Sequence, residues 1–149
     1  NTLCIARYTD YLDGQIWYGK TAFGHSNGLR VRVYGTKGSA EWFQMRPEEI
    51  LLHDIKGRKQ IIERSSVDVE LADELRYNRF KAGHPAGFIE AFANHYYDLA
   101  DSLIEFKQTG KTTSPWVYGA DVAEEGLLML EAIAKSAANK TWETVGDPT

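Results

Sequence analysis

The chain has 149 residues, 43% of them hydrophobic, a formal net charge of -4 and a single cysteine, enough apolar material for one folded domain with a continuous core. Its basic residues are scattered and no stretch nears the roughly 18 apolar residues of a membrane span, so neither nucleic acid nor a membrane is an expected partner. Cys4 has no internal partner for a disulfide, which suits a cytoplasmic protein.

The chain opens Asn1-Thr2-Leu3-Cys4-Ile5-Ala6, with neither an initiator Met nor a signal peptide, as though inside a strand. A piece of a longer chain is expected. Residues 3 to 8 and 15 to 22 are rich in Ile, Tyr, Trp and Thr and read as two antiparallel strands, with Asp13-Gly14 supplying the hairpin signal. Leu29 to Tyr34 alternates strictly, Gly35-Thr36-Lys37-Gly38 turns, and Ser39 to Gln44 extends again. Extended pieces at Ile50 to His53 and Gln60 to Glu63, split by Lys56-Gly57-Arg58, complete a meandering antiparallel sheet over the first 65 residues. Residues 66 to 82 read equally well as a loop or, at Glu70 to Arg76, as a helical turn.

The period then changes. Phe88, Phe92, Tyr96, Leu99 and Leu103 form a helical stripe, which predicts a helix from about 85 to 106 with Pro85 at its first position. A second helix is predicted from about 118 to 138, with Val122, Met129, Leu130, Ile133 and Ala137 on one face and Asn139 ending it. Thr141 to Val145 suits a last strand. Strands first and helices later give an α+β fold, an antiparallel sheet with helices packed on one face. Adjacent aromatics in Trp17-Tyr18 and Trp42-Phe43 point to opposite faces of a strand, so both faces are partly apolar. The uncovered face is expected to meet a second domain or subunit.

Chemistry is sparse. No G-x-G-x-x-G opens a helix, so no dinucleotide site is located, and the four histidines show no metal-ligand spacing; no metal is expected. His95 and Asp98 sit three apart on the first predicted helix and read as a helix-surface or core-edge hydrogen bond. His84, between Gly83 and Pro85, lies where the positive end of a helix attracts hydroxyl-bearing or anionic ligands. His25, Ser26 and Asn27 cluster in a loop between strands, where polar side chains can hydrogen-bond a hydroxylated ligand. No G-x-S-x-G elbow supports a hydrolase.

Three segments carry a resemblance: Gly28 to Trp42, Ala82 to Asn94, and Asp121 to Ala137 followed by Trp142. In that order they resemble the second domain of the Gfo/Idh/MocA oxidoreductases, the glucose-fructose oxidoreductase and inositol dehydrogenase family. The resemblance implies that residues 1-149 are a single C-terminal substrate-binding and oligomerisation domain whose parent carries a Rossmann domain with NAD or NADP. The parent reaction would be hydride transfer from a sugar, polyol or related cyclic alcohol. The family's Glu-Lys-Pro motif and Asp-x-x-x-His motif, which carry its catalytic lysine and histidine, are absent here, so no catalytic residue is assigned. The chain is expected to be inert alone, without bound cofactor. By position, the loop with His25 and Asn27 matches a stretch that lines the substrate in some family members, Lys20 lies on the strand entering it, and His84 and Phe92 fall near the pocket-facing start of a helix. A homo-oligomer through the sheet is also implied. The alternative is a stand-alone, non-catalytic ligand-binding or dimerisation module of the same fold.

Overall fold

Runs of period two form strands and runs of period 3.6 form helices, as the sequence predicts, and the fold is α+β. The computed structural model describes residues 1–67, 69, 74–81 and 83–146. In chain order the elements are β1 (Thr2–Thr9), β2 (Leu12–Tyr18), β3 (Arg30–Gly35), β4 (Gly38–Phe43), β5 (Glu49–Asp54), β6 (Lys59–Glu63), α1 (Phe88–Thr109) and α2 (Ala120–Asn139). The strands make two separate antiparallel sheets, β1-β2 and β3-β4-β5-β6, where one continuous meander was expected. The chain also falls into two compact units: Asn1–Gly24 with the stretch from Pro115 onward, and His25–Ser114.

In the first unit the β1-β2 hairpin turns at Asp10 and Tyr11, earlier than the predicted Asp13-Gly14. The reason lies across the strands. Asp13 stands opposite Arg7 and accepts from its Nε at 3.1 Å. Gly14 has no Cβ, and one placed there would lie 2.8 Å from the Tyr8 ring, so the bare residue makes room for that ring. Thr2, Cys4, Ala6, Gly14 and Ile16 form the half-buried face; Leu3, Ile5 and Trp17 point outward. Helix α2 buries Ala132 and half-buries Leu128, Met129, Ile133 and Ser136, while Val122 and Leu130 of the predicted stripe stay exposed.

Lys140 caps α2 in a left-handed conformation (φ 59°), its N–H donating to the Ser136 carbonyl at 2.8 Å. The predicted closing strand does not form among the described residues. Glu143 instead accepts from Asn139 Nδ2 (3.1 Å) and Thr141 Oγ1 (2.9 Å), folding the chain back on the helix end. These two hydrogen bonds hold the Glu143 carboxyl below its ordinary pKa.

In the second unit the four-stranded sheet follows the predicted boundaries to within a residue or two. The β3-β4 turn lies at Thr36 and Lys37. The β5-β6 turn is tied by Asp54, whose Oδ1 accepts from the N–H groups of Lys56 (2.8 Å) and Arg58 (3.0 Å), with Gly57 at φ +75°. Register places Val31, Trp42, Ile50 and Ile62 in one row and Val33, Ala40, Leu52 and Gln60 in the next, on the same face. Except for Gln60 that face is apolar. The opposite face carries Arg30, Arg32, Tyr34, Phe43, Glu41, Ser39, Leu51, His53, Ile61 and Lys59.

Helix α1 begins at Phe88, not Pro85. The Ala86 amide donates to Glu48 Oε1 at 2.9 Å and the Gly87 amide to Glu90 Oε2 at 2.8 Å, so both are satisfied outside the helical ladder. Its end matches the expected breaker, Gly110 capping at φ +74° with its N–H on the Phe106 carbonyl. The predicted stripe is the exposed one: Phe88, Phe92, Tyr96 and Leu103 stay open, and Asp98 and Ser102 are the buried positions. Of the ambiguous segment, Glu70 to Asp73 lie outside the described residues. Glu74 to Tyr77 form a turn, with the amides of Tyr77 and Asn78 both donating to the Glu74 carbonyl at 2.9 Å.

Candidate functional site

The sequence-predicted residues are distributed as follows. Lys20 is exposed just beyond β2 and belongs to the first unit; His25, Asn27, His84 and Phe92 belong to the second. His25 and Asn27 are exposed in the loop that leads into β3. That loop is anchored at its far end by Gln44, which exchanges hydrogen bonds with Leu29: Leu29 N to Gln44 Oε1 at 3.0 Å and Gln44 N to the Leu29 carbonyl at 2.9 Å. His84 is exposed, four residues ahead of the first helical residue, with its Nδ1 3.1 Å from the Lys81 carbonyl. Phe92 lies in an aromatic ladder on α1, edge-on to Phe88 (centroids 4.7 Å apart) and tilted against Tyr96 (6.4 Å). Among the described residues no hydrogen bond, ion pair or ring contact joins any two of these five.

The approach to α1 is held from the sheet. Glu48, just before β5, accepts from Arg64 Nε (2.5 Å) and from the Ala86 amide. Arg64, just after β6, also donates to Asn78 Oδ1 at 3.0 Å and to the His84 carbonyl at 3.5 Å. Both side chains are largely covered, at 28% and 19% exposure. The charge-assisted bonds are therefore less screened than surface pairs. The pair fixes the backbone on both sides of Pro85 and so sets where His84 sits relative to the sheet end. Glu48→Ala is expected to release this segment, with hydrogen exchange at the Ala86 amide rising about tenfold or more.

A second cluster pins the 74–79 turn to α1. Asp98 Oδ1 accepts from Arg76 Nη2 (2.8 Å) and from the Tyr77 hydroxyl (2.7 Å), while Arg76 also reaches Asp101 at 2.9 Å. The Arg76 guanidinium lies over the rings of Tyr97 (4.7 Å) and Tyr77 (5.3 Å). Burial, then the bond to Asp98, pushes the Tyr77 hydroxyl above its ordinary pKa, so it remains a neutral donor. One turn along, Arg79 Nη1 donates to Asn94 Oδ1 at 2.6 Å. The helix-surface or core-edge hydrogen bond expected at His95 and Asp98 takes other partners: Asp98 accepts from Arg76 and Tyr77, and His95 lies beside Tyr96. Neither cluster holds a metal arrangement; among the described residues no three His, Cys, Asp or Glu side chains gather as ligands.

No protein-family model matches the chain. It is 29% identical over 143 residues to the uncharacterized oxidoreductase YfiI of Bacillus subtilis (strain 168), covering 92% of this chain and 35% of that protein. Among solved structures, an oxidoreductase from Sinorhizobium meliloti matches with a TM-score of 0.76 and 32% identity over 93% of this chain and 38% of that one. An inositol dehydrogenase homolog from Azotobacter vinelandii, complexed with NADH and myo-inositol, matches with a TM-score of 0.59 and 28% identity over 64% of this chain and 25% of that one. The chain thus spans about a third of the curated relative's length. It is homologous to one part of these oxidoreductases, in agreement with the Gfo/Idh/MocA resemblance read from its sequence.

Proposed function

From that homology we propose that the chain is the substrate-side domain of an NAD(P)-dependent dehydrogenase acting on a sugar, polyol or related cyclic alcohol. The observation that carries the reading is the extent of the match: nearly all of this chain aligns with a limited part of larger oxidoreductases. A relative solved with NADH and myo-inositol supplies the chemical class, a nicotinamide cofactor and a hydroxylated ring.

The described residues do not fit the cofactor itself. Helix α1 is reached from β6 through a long connection and α2 follows another helix, so neither begins on a glycine turn directly after a strand, where a pyrophosphate would rest. On this reading the cofactor and the proton-transferring groups belong to a partner Rossmann domain of the parent chain, and residues 1-149 are inert alone. The contribution of this chain is to hold the carbinol carbon at the distance and angle that hydride transfer requires. Within the second unit His25 and Asn27 would donate to ring hydroxyls, His84 would add one more donor or acceptor, and Phe92 would offer an apolar wall to ring C–H groups; Lys20, in the first unit, is a separate candidate donor. Arg64 and Glu48 act through His84 as positioning residues. Assembly through the sheet belongs to the same reading.

The test is a split of kinetic constants in the native-length protein. His25→Gln and Asn27→Ala are expected to raise KM for the alcohol about tenfold, the loss of one or two hydrogen bonds, while KM for the cofactor stays unchanged. Equal effects on both constants, or none on either, would remove these residues from the substrate site.

A further inference from the structure

The chain has five asparagines, and four of their side chains are held. Asn1 Oδ1 accepts from Thr21 Oγ1 at 2.9 Å, Asn78 Oδ1 from Arg64 Nη1 at 3.0 Å and Asn94 Oδ1 from Arg79 Nη1 at 2.6 Å, while Asn139 Nδ2 donates to Glu143 at 3.1 Å. Asn27 is the exception. It is exposed, and among the described residues its side chain makes no hydrogen bond. It is also the one asparagine followed by glycine; the others precede Thr2, Arg79, His95 and Lys140.

The backbone beside it is equally open. Among the described residues none from Gly24 to Gly28 takes part in a hydrogen bond. The nearest ties are the Phe23 amide on the Thr21 carbonyl (3.1 Å) before the stretch and the Leu29 exchange with Gln44 after it. An uncommitted Gly28 nitrogen therefore stands next to an uncommitted carboxamide. In this order of residues the nitrogen can close a five-membered ring on the side-chain carbonyl carbon, an intramolecular attack that the missing Cβ of glycine leaves unhindered. Elsewhere in the chain the attacking residue carries a side chain and the asparagine amide is engaged. At Asn94 the His95 nitrogen is further committed to the hydrogen-bond ladder of α1.

We propose that Asn27-Gly28 is a self-modification site, a succinimide-forming junction in the loop ahead of β3. The Gly28 nitrogen bonds to Asn27 Cγ and the Cγ–Nδ2 bond breaks, the proton lost from Gly28 ending on the departing ammonia. Water then opens the imide at one of its two carbonyls. Release of nitrogen from Cγ leaves aspartate; release from the main-chain carbonyl leaves isoaspartate, whose backbone runs through Cγ and is longer by one methylene. Nothing is oxidised or reduced, and water is the only co-reactant. The net exchange is ammonia for water, and the formal charge of -4 becomes one unit more negative.

Either product replaces an amide, which donates and accepts, with a carboxylate, which only accepts. The effect on substrate rests on the reading above, in which Asn27 donates to a ring hydroxyl; the modification itself does not.

The native-length protein is held at physiological temperature and mildly alkaline pH, and samples are taken for peptide mapping by mass spectrometry and for kinetics. Asn27 is expected to convert before any other asparagine of this chain, giving two isomeric products of one mass. A Cβ on Gly28 would lie 3.4 Å from the Phe43 ring and 3.5 Å from the Ser26 carbonyl oxygen, ordinary contacts, and the residue has no left-handed φ. Gly28→Ala should therefore fold and should slow the conversion at least about tenfold. An Asn27 that outlasts Asn78, Asn94 or Asn139, or that converts as fast in Gly28→Ala as in the wild type, overturns the assignment. In the same samples KM for the alcohol is expected to rise with conversion toward the value of Asn27→Ala, with KM for the cofactor unchanged. Conversion with no change in KM for the alcohol establishes the modification site and removes Asn27 from the substrate reading.

Discussion

Asp98→Ala is expected to lower the unfolding free energy of the chain by about 3 kcal/mol, the scale for removing one partner of a largely buried ion pair. Asp98 is only 8% exposed and carries two donors, the Arg76 guanidinium and the Tyr77 hydroxyl. Its loss strands both in the groove between the 74–79 turn and α1. Asp101 binds the same guanidinium from the open side, with a side chain 52% exposed. Its replacement by alanine should cost less than about 1 kcal/mol, as exposed pairs do. Urea unfolding followed by tryptophan fluorescence separates the two variants. Equal effects would mean that Asp98 owes nothing to its burial.

Gly38→Ala should cost about 2–3 kcal/mol, combining backbone strain with a steric collision. Gly38 sits at φ +154°, and a Cβ there would lie 2.2 Å from the His53 carbonyl oxygen and 3.3 Å from its carbon. Both atoms are backbone of the neighbouring strand, so relief requires β4 and β5 to separate. Gly57 is the control: it has φ +75° but no atom within 4 Å of such a Cβ. Gly57→Ala is therefore expected to cost about 1 kcal/mol, from conformation alone. The same unfolding measurement ranks the two.

What the sequence made legible was local. The β3-β4 hairpin follows from strict alternation and from Gly35 and Gly38, and the end of α1 from Gly110, because those signals reside in adjacent residues. What it hid depended on distant partners. Asp13-Gly14 has the chemistry of a turn, but Arg7 opposite Asp13 and the Tyr8 ring over Gly14 place the pair inside β2. Pro85 looks like a first helical residue, yet Glu48, 38 positions earlier in the chain, takes the Ala86 amide and delays the helix. Asp98 was read with its helical neighbour His95, whereas its partners Arg76 and Tyr77 come from 22 and 21 residues away. The aromatic stripe of α1 shows the limit of periodicity. It identified the helix but not the side that is buried, because the buried positions are the polar Asp98 and Ser102, and Asp98 takes its partners Arg76 and Tyr77 from a distant turn.

His25, Asn27, His84 and Phe92 were chosen for their residue types and positions in a resemblance, and the structure adds the ties that fix their backbones: Gln44 beside the loop, Arg64 on the His84 carbonyl, and the Phe88 and Tyr96 rings around Phe92. Glu48 and Arg64, which set the approach to α1, had no signal in sequence, since surface carboxylates and guanidinium groups occur throughout the chain.

The most direct test of the account is the reduction of NAD or NADP by the native-length protein that carries this chain, supplied in turn with cyclic polyols and sugars, beside the 149-residue chain under the same conditions. The account predicts reduced cofactor from the native-length protein with at least one such alcohol, and none from the chain alone. Turnover by the isolated chain, or a native-length protein that oxidises no member of the series, would contradict it.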